Sequence, residues 1–399
     1  MTSPTPPTRW RPSRNVLALS AVSLLTDASS EIIAPLLPLF LVGTLGTSVQ
    51  MVGVIEGAAE AVASFLKLAS GWWSDRAARR KPLIVAGYSI ASLVRPLVAV
   101  AQTGGQVLMI RLIDRVGKGI RGAPRDALIG ESTEPEHRGR AYGFHRASDH
   151  FGAVVGPLIA LACLNWWHLP LRQVFWVAAV PGVFAVLVAL RFVAESPGRT
   201  FVVREPREKP ATPLPRAFWH VVGPVVLFTL GNSTDAFLLL RASQLGVPTP
   251  LIPLLWVALH VVKSASSTPG GALSDRVGRK PLIVSGWLLY AAVYAGFALA
   301  TSTWHAWALF TVYGFVFGLT EGTEKAFIAD VVGPTHRGTA FGWYQGLIGA
   351  AALPASVLFG AVWTRWNSAA AFSMGASLAL AAVWMATVRI AAGHPQPTT

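Results

Sequence analysis

The sequence has few charged residues and a single cysteine, and both scarcities restrict what the protein can be. Charged side chains make up 13% of its 399 residues, whereas a soluble domain has about 25%. Cys163 has no partner for an intrachain disulfide, and no cysteines and histidines have the spacing of a zinc or iron–sulfur site. Disordered, collagen-like and disulfide-scaffold proteins are therefore excluded. A very apolar soluble protein or a protein with many membrane spans remains.

Long stretches without charge decide between these two classes. Residues 173–190, 282–301 and 367–388 contain no charged side chain, and about 18 such residues are enough for a helix to cross a bilayer. The chain contains twelve predominantly apolar spans of at least this length, so we predict an all-α membrane protein with twelve transmembrane helices. The spans are predicted at about 15–42, 50–73, 83–103, 107–131, 140–166, 172–194, 217–241, 249–273, 282–301, 305–331, 339–363 and 368–391.

The positive charges predict the orientation of these spans. The formal net charge is +14, and twenty lysines and arginines lie in the tail and connections on the side of the termini. The opposite side has three, Arg172, Arg241 and Arg365. The positive-inside rule therefore places both termini in the cytoplasm of a bacterial cell, with the protein in the cytoplasmic (inner) membrane. Basic loops in this position bind anionic lipid headgroups, and we expect no nucleic-acid partner.

An internal repeat divides the chain into two halves. Residues 71–85 recur at 271–284, and residues 137–143 recur at 336–342. Six spans per copy is an even number, so both copies begin on the same side, as in parallel repeats related by an axis along the membrane normal. We therefore predict a disordered tail (1–14), a six-helix bundle (15–194), a cytoplasmic linker (195–216), a second six-helix bundle (217–391) and a cytoplasmic tail (392–399).

Several motifs resemble those of the major facilitator superfamily. The repeated loop resembles its Gly-x-x-x-Asp-Arg-x-Gly-Arg-Arg/Lys signature, although the first copy has Ala78 in place of glycine and one additional residue. The sequence Arg115-x-x-Lys118-Gly119 resembles the family's Arg-x-x-Gln-Gly element, with lysine in place of glutamine. The residues that carry the loop motif, and that the resemblance assigns to gating, are Gly71, Asp75, Arg76 and Arg80 in the first copy and Gly271, Asp275, Arg276, Gly278 and Arg279 in the second.

A further element resembles the Gly-Pro motif of antiporters in this superfamily. It consists of Gly152, Gly156 and Pro157 in the fifth span. These residues allow close approach of a neighbouring helix and a kink, although simple packing explains them as well. The resemblance implies the fold of that superfamily, with twelve helices in two pseudo-symmetric bundles. It also implies transport of a small-molecule substrate by a protein that we expect to be a monomer.

Ten acidic and ten basic side chains lie within the predicted spans. An unpaired charge at mid-membrane costs about 3 kcal/mol, so these groups must face one another or water. The sixth, ninth and twelfth spans have none, and the third has only Arg95. In the superfamily these four helices are the outer ones, so the charge distribution agrees with the resemblance. The other helices are expected to surround a polar pathway.

The spacing of charged residues along each helix identifies the candidate site residues in this pathway. Asp27 and Glu31, like Glu56 and Glu60, are four residues apart and share one helix face. Such carboxylates are suitable for a carrier that binds a proton while it is open to one side of the membrane and releases the proton to the other side. The candidates for proton coupling are Asp27, Glu31, Glu56, Glu60, Asp235, Glu321 and Glu324. The candidates for substrate binding or charge balance are Arg111, Arg115, Lys118, Arg121, Arg125, His260, Lys263 and Lys325.

The alternative for these charges is an ion-pair network that only stabilises the bundle. We favour it for Asp114, Asp126, Arg146 and Lys67, because each has an opposite charge at helical reach. His145 and His150 are interpreted as packing residues with satisfied nitrogens.

The function predicted from these observations is secondary active transport by alternating access. No nucleotide-binding loop is present, so proton coupling is expected, with protons and membrane lipids as the other partners and no cofactor or metal. The Gly-Pro element favours efflux by antiport. The basic fourth span favours an alternative, proton-coupled uptake of an organic anion such as a phosphate ester, carboxylate or metal chelate. A transporter-derived sensor or a membrane-embedded enzyme is a third possibility, but no signalling domain or hydrolase motif supports either.

Overall fold

The computed structural model describes residues 11–76, 79–134, 137–195 and 213–391, and the regular secondary structure in these ranges is helical. The predicted tails and linker therefore lie mostly outside the described residues. The helices are α1 (Arg14–Ile33), α2 (Leu37–Leu39), α3 (Val49–Arg76), α4 (Lys81–Val94), α5 (Gly104–Glu131), α6 (Arg138–Asn165), α7 (Leu171–Val177), α8 (Ala179–Phe192), α9 (Arg216–Gly231), α10 (Ala236–Gln244), α11 (Ile252–Val277), α12 (Arg279–Leu299), α13 (Thr303–Arg365) and α14 (Ser368–Ala391).

These helices form the twelve predicted spans. Ten stretches of the described chain are long and apolar enough to cross a membrane. The other two spans are α5 and the first part of α13, which carry most of the charged side chains predicted to face the pathway. Charge on a spanning helix has to be compensated within the bundle. The two least apolar spans are therefore expected at its centre.

Helix α13 differs from the prediction in one respect, because its helical hydrogen bonding continues through the predicted connection between the tenth and eleventh spans. The Tyr344 hydroxyl nevertheless donates to Glu324 Oε2 at 3.0 Å. In a straight helix, residues twenty positions apart would be about 30 Å apart along the axis. The chain therefore reverses direction between these two residues, and α13 supplies two spans. The prediction of twelve spans is confirmed.

The first span of each repeat copy is interrupted within the membrane. Proline lacks an N–H donor and ends or kinks a helix; Pro35 lies at the break between α1 and α2, and a π-helical turn over Phe40–Thr44 follows. In the seventh span, α9 ends at Gly231 and α10 begins at Ala236. The intervening residues include Asp235, so this break presents a carboxylate together with backbone groups that no longer bond within a helix.

The repeat seen in the sequence is also present in the packing. We call α1–α8 the first half and α9–α14 the second half. Gly119 lies against Leu66 in the first half, and Gly318 lies against Ser266 in the second. Each pair of counterparts is separated by the repeat offset of 199 or 200 residues. The two pseudo-symmetric bundles predicted from the sequence are therefore confirmed.

Two pairs of helices make most of the contacts between the two halves, and α10 also contacts α2 and α3. Helix α3 packs against the second span of α13, where Gly53 lies against Ser356 and Gly57 against Leu353. Helix α6 packs against α11. These are the second with the eleventh span and the fifth with the eighth, and a twofold axis between the halves exchanges one pair for the other. Glycine allows this close helix approach because it has no Cβ.

Contacts on the two membrane sides differ. We call the side on which α1 begins and α14 ends the termini side. On the opposite side, the Asn165 amide donates to the Pro250 carbonyl at 3.1 Å and joins the halves. On the termini side, Arg80 pairs with Glu131, and Arg279 pairs with Asp330 at 3.2 Å, each within its own half. Of these three polar contacts, the one that joins the halves lies away from the termini.

Candidate functional site

A cavity of about 500 Å³ lies between the two halves. Its wall combines five carboxylates and one ammonium group with aromatic rings and small polar side chains. It is lined by Glu56, Glu60, Phe228, Thr229, Asn232, Ser233, Thr234, Asp235, Lys263, Phe317, Thr320, Glu321, Glu324, Tyr344, Ile348, Ala352 and Ser356. Ser356 is buried, whereas Glu60 and Glu321 are exposed. The cavity therefore brings acids of both halves together in a partly water-accessible space.

Two of these carboxylates accept hydrogen bonds from neutral groups. Asp235, at the break between α9 and α10, accepts from the Tyr313 hydroxyl at 2.8 Å. Glu324 is buried and accepts from the Trp287 indole at 3.1 Å and from the Tyr344 hydroxyl at 3.0 Å. Neutral donors orient a carboxylate without cancelling its charge. These two groups are therefore able to exchange a proton without breaking an ion pair.

The third acid of the second half, Glu321, is paired with cations. Lys263 Nζ lies 3.4 Å and Lys325 Nζ 3.2 Å from its carboxylate oxygens. Lys263 also lies 4.1 Å from the centre of the Phe317 ring. His260 is not among the cavity-lining residues; its ring packs edge-on against Trp256 with centroids 5.0 Å apart. The positive charge of Lys263 in the cavity wall is therefore balanced by the neighbouring carboxylate of Glu321.

In the first half, Glu56 forms an ion pair with Arg111 at 2.6 Å. Glu60, one turn further along α3, is exposed. Asp114 pairs with Arg95 at 2.8 Å, and Arg95 also donates to the Thr26 carbonyl at 3.0 Å. Both members of this pair are buried. The pair thus ties the third and fourth spans to the first, a structural role that matches the interpretation of Asp114.

Asp27 and Glu31 lie where α6 approaches α1 most closely. Gly152 lies against Leu24 and Asp27, and Gly156 lies against Ala28 and Glu31, in each case so closely that a Cβ would overlap. The Trp256 indole of α11 donates to Glu31 at 2.8 Å. Glu31 therefore has a hydrogen-bond partner in the other half of the molecule. Pro157 is buried within α6, next to this contact.

The basic residues of α5 lie beside these acids rather than in the cavity. Lys118 and Arg115 are within electrostatic reach of Glu31. Arg121 is buried, with its guanidinium 4.3 Å from the centre of the Tyr88 ring. Arg125 pairs with its neighbour Asp126 at 2.8 Å. Among the described residues that line the cavity, none is an arginine.

The repeated loops lie at the ends of helices on the termini side. Arg279 pairs with Asp275 as well as with Asp330, and Arg276 is exposed. Gly278 ends α11 with a φ of 92°, a backbone conformation that favours glycine. Gly271 has open space where a Cβ would lie. In the first copy, the side chains of Gly71, Asp75, Arg76 and Lys67 lie outside the described residues, and Arg80 pairs with Glu131.

Sequence reasoning missed the aromatic partners of the acids. Trp256, Trp287, Tyr313 and Tyr344 each donate to a candidate carboxylate, although isolated tryptophans and tyrosines are typical packing residues. Tyrosine and tryptophan need a partner for the hydroxyl or indole N–H when buried. An aromatic donor in a span that faces a carboxylate-bearing span is therefore the signal that points to such pairs.

His145 also departs from its interpretation as a satisfied packing residue. It is buried, with 2% of its side chain exposed. Neither ring nitrogen has a hydrogen-bond partner among the described residues. Buried polar side chains without partners are uncommon in native proteins. His150, five residues further along α6, is exposed.

Known proteins resemble this chain over most or part of its length. An uncharacterized MFS-type transporter of Methanocaldococcus jannaschii is 33% identical over 362 residues, which cover 88% of this chain and 89% of that protein. The multidrug resistance protein MdtH of Aeromonas hydrophila is 31% identical over 148 residues, 37% of each chain. A crystal structure of a bacterial homologue of the human lysosomal transporter Spinster, inward-facing and occupied, matches with a TM-score of 0.74, 18% identity and 96% of both chains covered.

The family model described as Major Facilitator Superfamily matches residues 19–352 and 221–399, which together include both halves. This match agrees with the twelve spans, the twofold packing and the cavity between the halves. The expectation that the motifs raised is confirmed at the level of the family. The chain belongs to the major facilitator superfamily, whose members are membrane transporters.

Proposed function

We propose that this transporter exports a small organic solute across the cytoplasmic membrane in exchange for protons. The observation that carries the proposal is the pair of cavity carboxylates, Asp235 and Glu324, that accept hydrogen bonds from neutral donors. A carboxylate in this setting is able to hold either a proton or the positive charge of a solute. The relative named as a multidrug resistance protein supports the direction of transport.

In alternating access, the cavity would open first to the termini side and then to the opposite side. The termini side, rich in arginine and lysine, faces the cytoplasm by the positive-inside rule. A solute that enters the cavity from this side displaces protons from the carboxylates. Contacts that now join the halves on the far side, such as Asn165 with Pro250, then open while the termini side closes. Protons that bind from outside release the solute and return the protein to its first state.

The composition of the wall favours a solute that is positively charged. Five carboxylates and one ammonium group line the cavity, and Phe228 and Phe317 add aromatic faces. Aromatic rings attract organic cations through the negative face of the ring. Because Glu56 and Glu321 already have basic partners, Asp235, Glu324 and the exposed Glu60 are the cavity carboxylates that remain to attract a cation.

The test is transport by purified protein in liposomes with an imposed pH gradient. Tetraphenylphosphonium serves as the cationic probe and benzoate as the anionic one. We expect gradient-dependent transport of the cation, release of protons when it binds, and loss of both in Asp235→Asn. Glu134→Gln is the matched control, because this glutamate is 82% exposed and lies outside the cavity. Transport of the cation by Asp235→Asn at the wild-type rate would contradict the role of Asp235.

Uptake of an organic anion is the second candidate. The observation that favours it is Arg115, whose guanidinium Nε has no hydrogen-bond partner among the described residues and which lies within electrostatic reach of Glu31. In that case benzoate, and not tetraphenylphosphonium, would be transported with protons in the same liposomes. Arg115→Gln would then abolish transport while leaving Asp235→Asn active. If the protein is a sensor instead, neither probe would cross faster than it does in liposomes without protein.

A further inference from the structure

Titratable groups that the cavity does not use follow one another along the contact between α1 and α6. His145 and Asp149 are one turn apart on α6, and Gly152 brings the next turn against Asp27. Asp27 and Glu31 are in turn one helical turn apart on α1. Four residues of helix rise about 6 Å. These four groups, which we call the α1–α6 row, lead from the termini side toward the centre of the molecule.

The first two members of the row have unused hydrogen-bonding capacity. His145 Nε2 lies 3.6 Å from Asp149 Oδ1, which is beyond hydrogen-bond length. Among the described residues, neither His145 ring nitrogen nor Asp149 Oδ1 has a hydrogen-bond partner. A small side-chain movement would join the two groups, as is common when proton-transferring groups tighten during function. A buried histidine beside an oxygen of a half-buried carboxylate, both without hydrogen-bond partners among the described residues, needs an explanation that packing does not supply.

Close helix packing connects these groups to the acids of α1. At Gly152 the backbone of α6 lies against the Leu24 carbonyl and the Cβ of Asp27. Asp149 lies within electrostatic reach of Asp27. Glu31, at the inner end of the row, is bonded to Trp256 of α11. The row therefore begins near the termini side of the first half and ends at a contact with the second half.

Charged groups of α5 and α6 face the row. Helix α5 contributes Lys118 and Arg121 beside Asp27, and Arg125 and Asp126 beside His145. Lys118, Arg115 and Arg111 are near Glu31. Helix α6 contributes Arg146, which is 3.8 Å from Asp149 and largely exposed. Lysine and arginine keep their charge near neutral pH, so the histidine and the carboxylates are the groups of the row that gain and lose protons.

We propose that Glu31 and Asp27 pass protons to Asp149 and His145, so that the first half carries a proton path separate from the solute cavity, along which protons that bound from outside leave on the termini side. A proton on Glu31 passes to Asp27, and Asp27 passes it to Asp149. Asp149 passes it to a His145 ring nitrogen, and release of a proton toward the termini side leaves His145 neutral again. This inference rests on the proposed proton coupling, and it adds two groups that the cavity geometry alone would not select.

The first experiment compares two kinds of transport in liposomes that contain the full chain. Tetraphenylphosphonium uptake driven by a pH gradient requires net proton movement, whereas its exchange across the membrane at equal pH does not. We expect His145→Gln and Asp149→Asn to lower gradient-driven uptake by at least about a hundredfold, the lower end of the range for proton-transfer effects, and to leave exchange unchanged. His168→Gln, on an exposed connection of the opposite side, is the control. Loss of exchange together with gradient-driven uptake, or no change in either, would overturn the proposal.

The second experiment needs no solute and separates this proposal from the proposed function. Infrared difference spectra of the purified protein between acid and neutral pH report the carbonyl band of each carboxylic acid that gains a proton. We expect Asp149→Asn to remove part of this band and His145→Gln to shift the pH at which it appears. Spectra of both variants identical to wild type would refute the relay, even if export of a cation is established. The expected spectra without cation transport would refute only the proposed function.

Discussion

The acids of this transporter are held by two kinds of partner. Glu56 and Asp114 form ion pairs with arginines, whereas Glu31, Asp235 and Glu324 accept hydrogen bonds from tryptophan and tyrosine. Removing one member of a buried ion pair leaves an uncompensated charge, which costs about 3–5 kcal/mol. A neutral donor imposes no such penalty when the acid becomes protonated. The kind of partner, a charged arginine or a neutral aromatic donor, therefore distinguishes acids that stabilise the bundle from acids that are able to carry protons.

Substitution of Asp114 tests how much the Arg95–Asp114 ion pair stabilises the bundle. Both side chains are buried, and Arg95 lies on a span with no other charge. We expect Asp114→Ala to destabilise the protein by about 3–5 kcal/mol, because Arg95 would remain charged without its partner. The double variant Arg95→Met/Asp114→Leu should recover much of this loss. Thermal unfolding in detergent measures both. Equal stability of the Asp114→Ala variant and wild type would show that the pair does not stabilise the bundle.

At the scale of the helix, small residues determine where polar groups meet. The closest approach of α6 to α1 occurs at Gly152 and Gly156, and these positions are level with Asp27 and Glu31. In the other half, Gly318 allows α13 to approach α11 at Ser266. Glycine at such contacts lets helix backbones come together where a larger side chain would separate them. Interruption of the first and seventh spans adds polar backbone groups at the same depth.

Substitution of Gly152 tests whether the close packing of α6 against α1 is required. A Cβ at this position would overlap the Leu24 carbonyl, so Gly152→Val should push α6 away from α1. We expect a lower unfolding temperature and loss of pH-gradient-driven transport. Gly143→Ala on the same helix is the matched control, because nothing lies within 4 Å of its Cβ position. Alanine there should be neutral or stabilising by up to about 1 kcal/mol. Identical behaviour of the two variants would contradict the importance of the close approach.

At the scale of the whole molecule, contacts between the halves set the conformation. Those described here lie at α3 with α13, at α6 with α11, and on the side away from the termini. The hydrogen bond from Trp256 to Glu31 also crosses between the halves, and it involves an acid of the proposed proton path. If Glu31 carries protons as we propose, this hydrogen bond would link its protonation to the position of the second half.

Trp256→Phe tests this link. The change removes the indole N–H and keeps an aromatic ring, and a hydrogen bond to a charged group contributes about 1.5–3 kcal/mol. We expect the population open on the termini side to fall by about tenfold, since about 1.4 kcal/mol corresponds to that factor. Distances between spin labels on α6 and α11, measured by electron paramagnetic resonance, report this population. Trp219→Phe, at an exposed position near the start of α9, is the control. An unchanged distance distribution in Trp256→Phe would contradict the coupling role.

The sequence by itself determined the number of spans, their repeat and the helices that carry charge. Each of these depends on local composition or on similarity between two segments, and both are properties of the linear chain. The membrane adds a strong constraint, because buried charge is costly and its distribution separates inner from outer helices. For the same reason Asp27, Glu31 and Asp235 were recognisable as unusual without any knowledge of their neighbours.

Only the tertiary structure decided which group meets which. Trp256 and Glu31 are 225 positions apart in the chain, and Tyr313 and Asp235 are 78 apart. Their hydrogen bonds depend on the angle and depth at which separate helices pack, and no local pattern encodes these. That His145 has no hydrogen-bond partner among the described residues likewise depends on how separate helices pack around it. Spacing along one helix predicts faces, but the chemistry of each face depends on the helix packed against it.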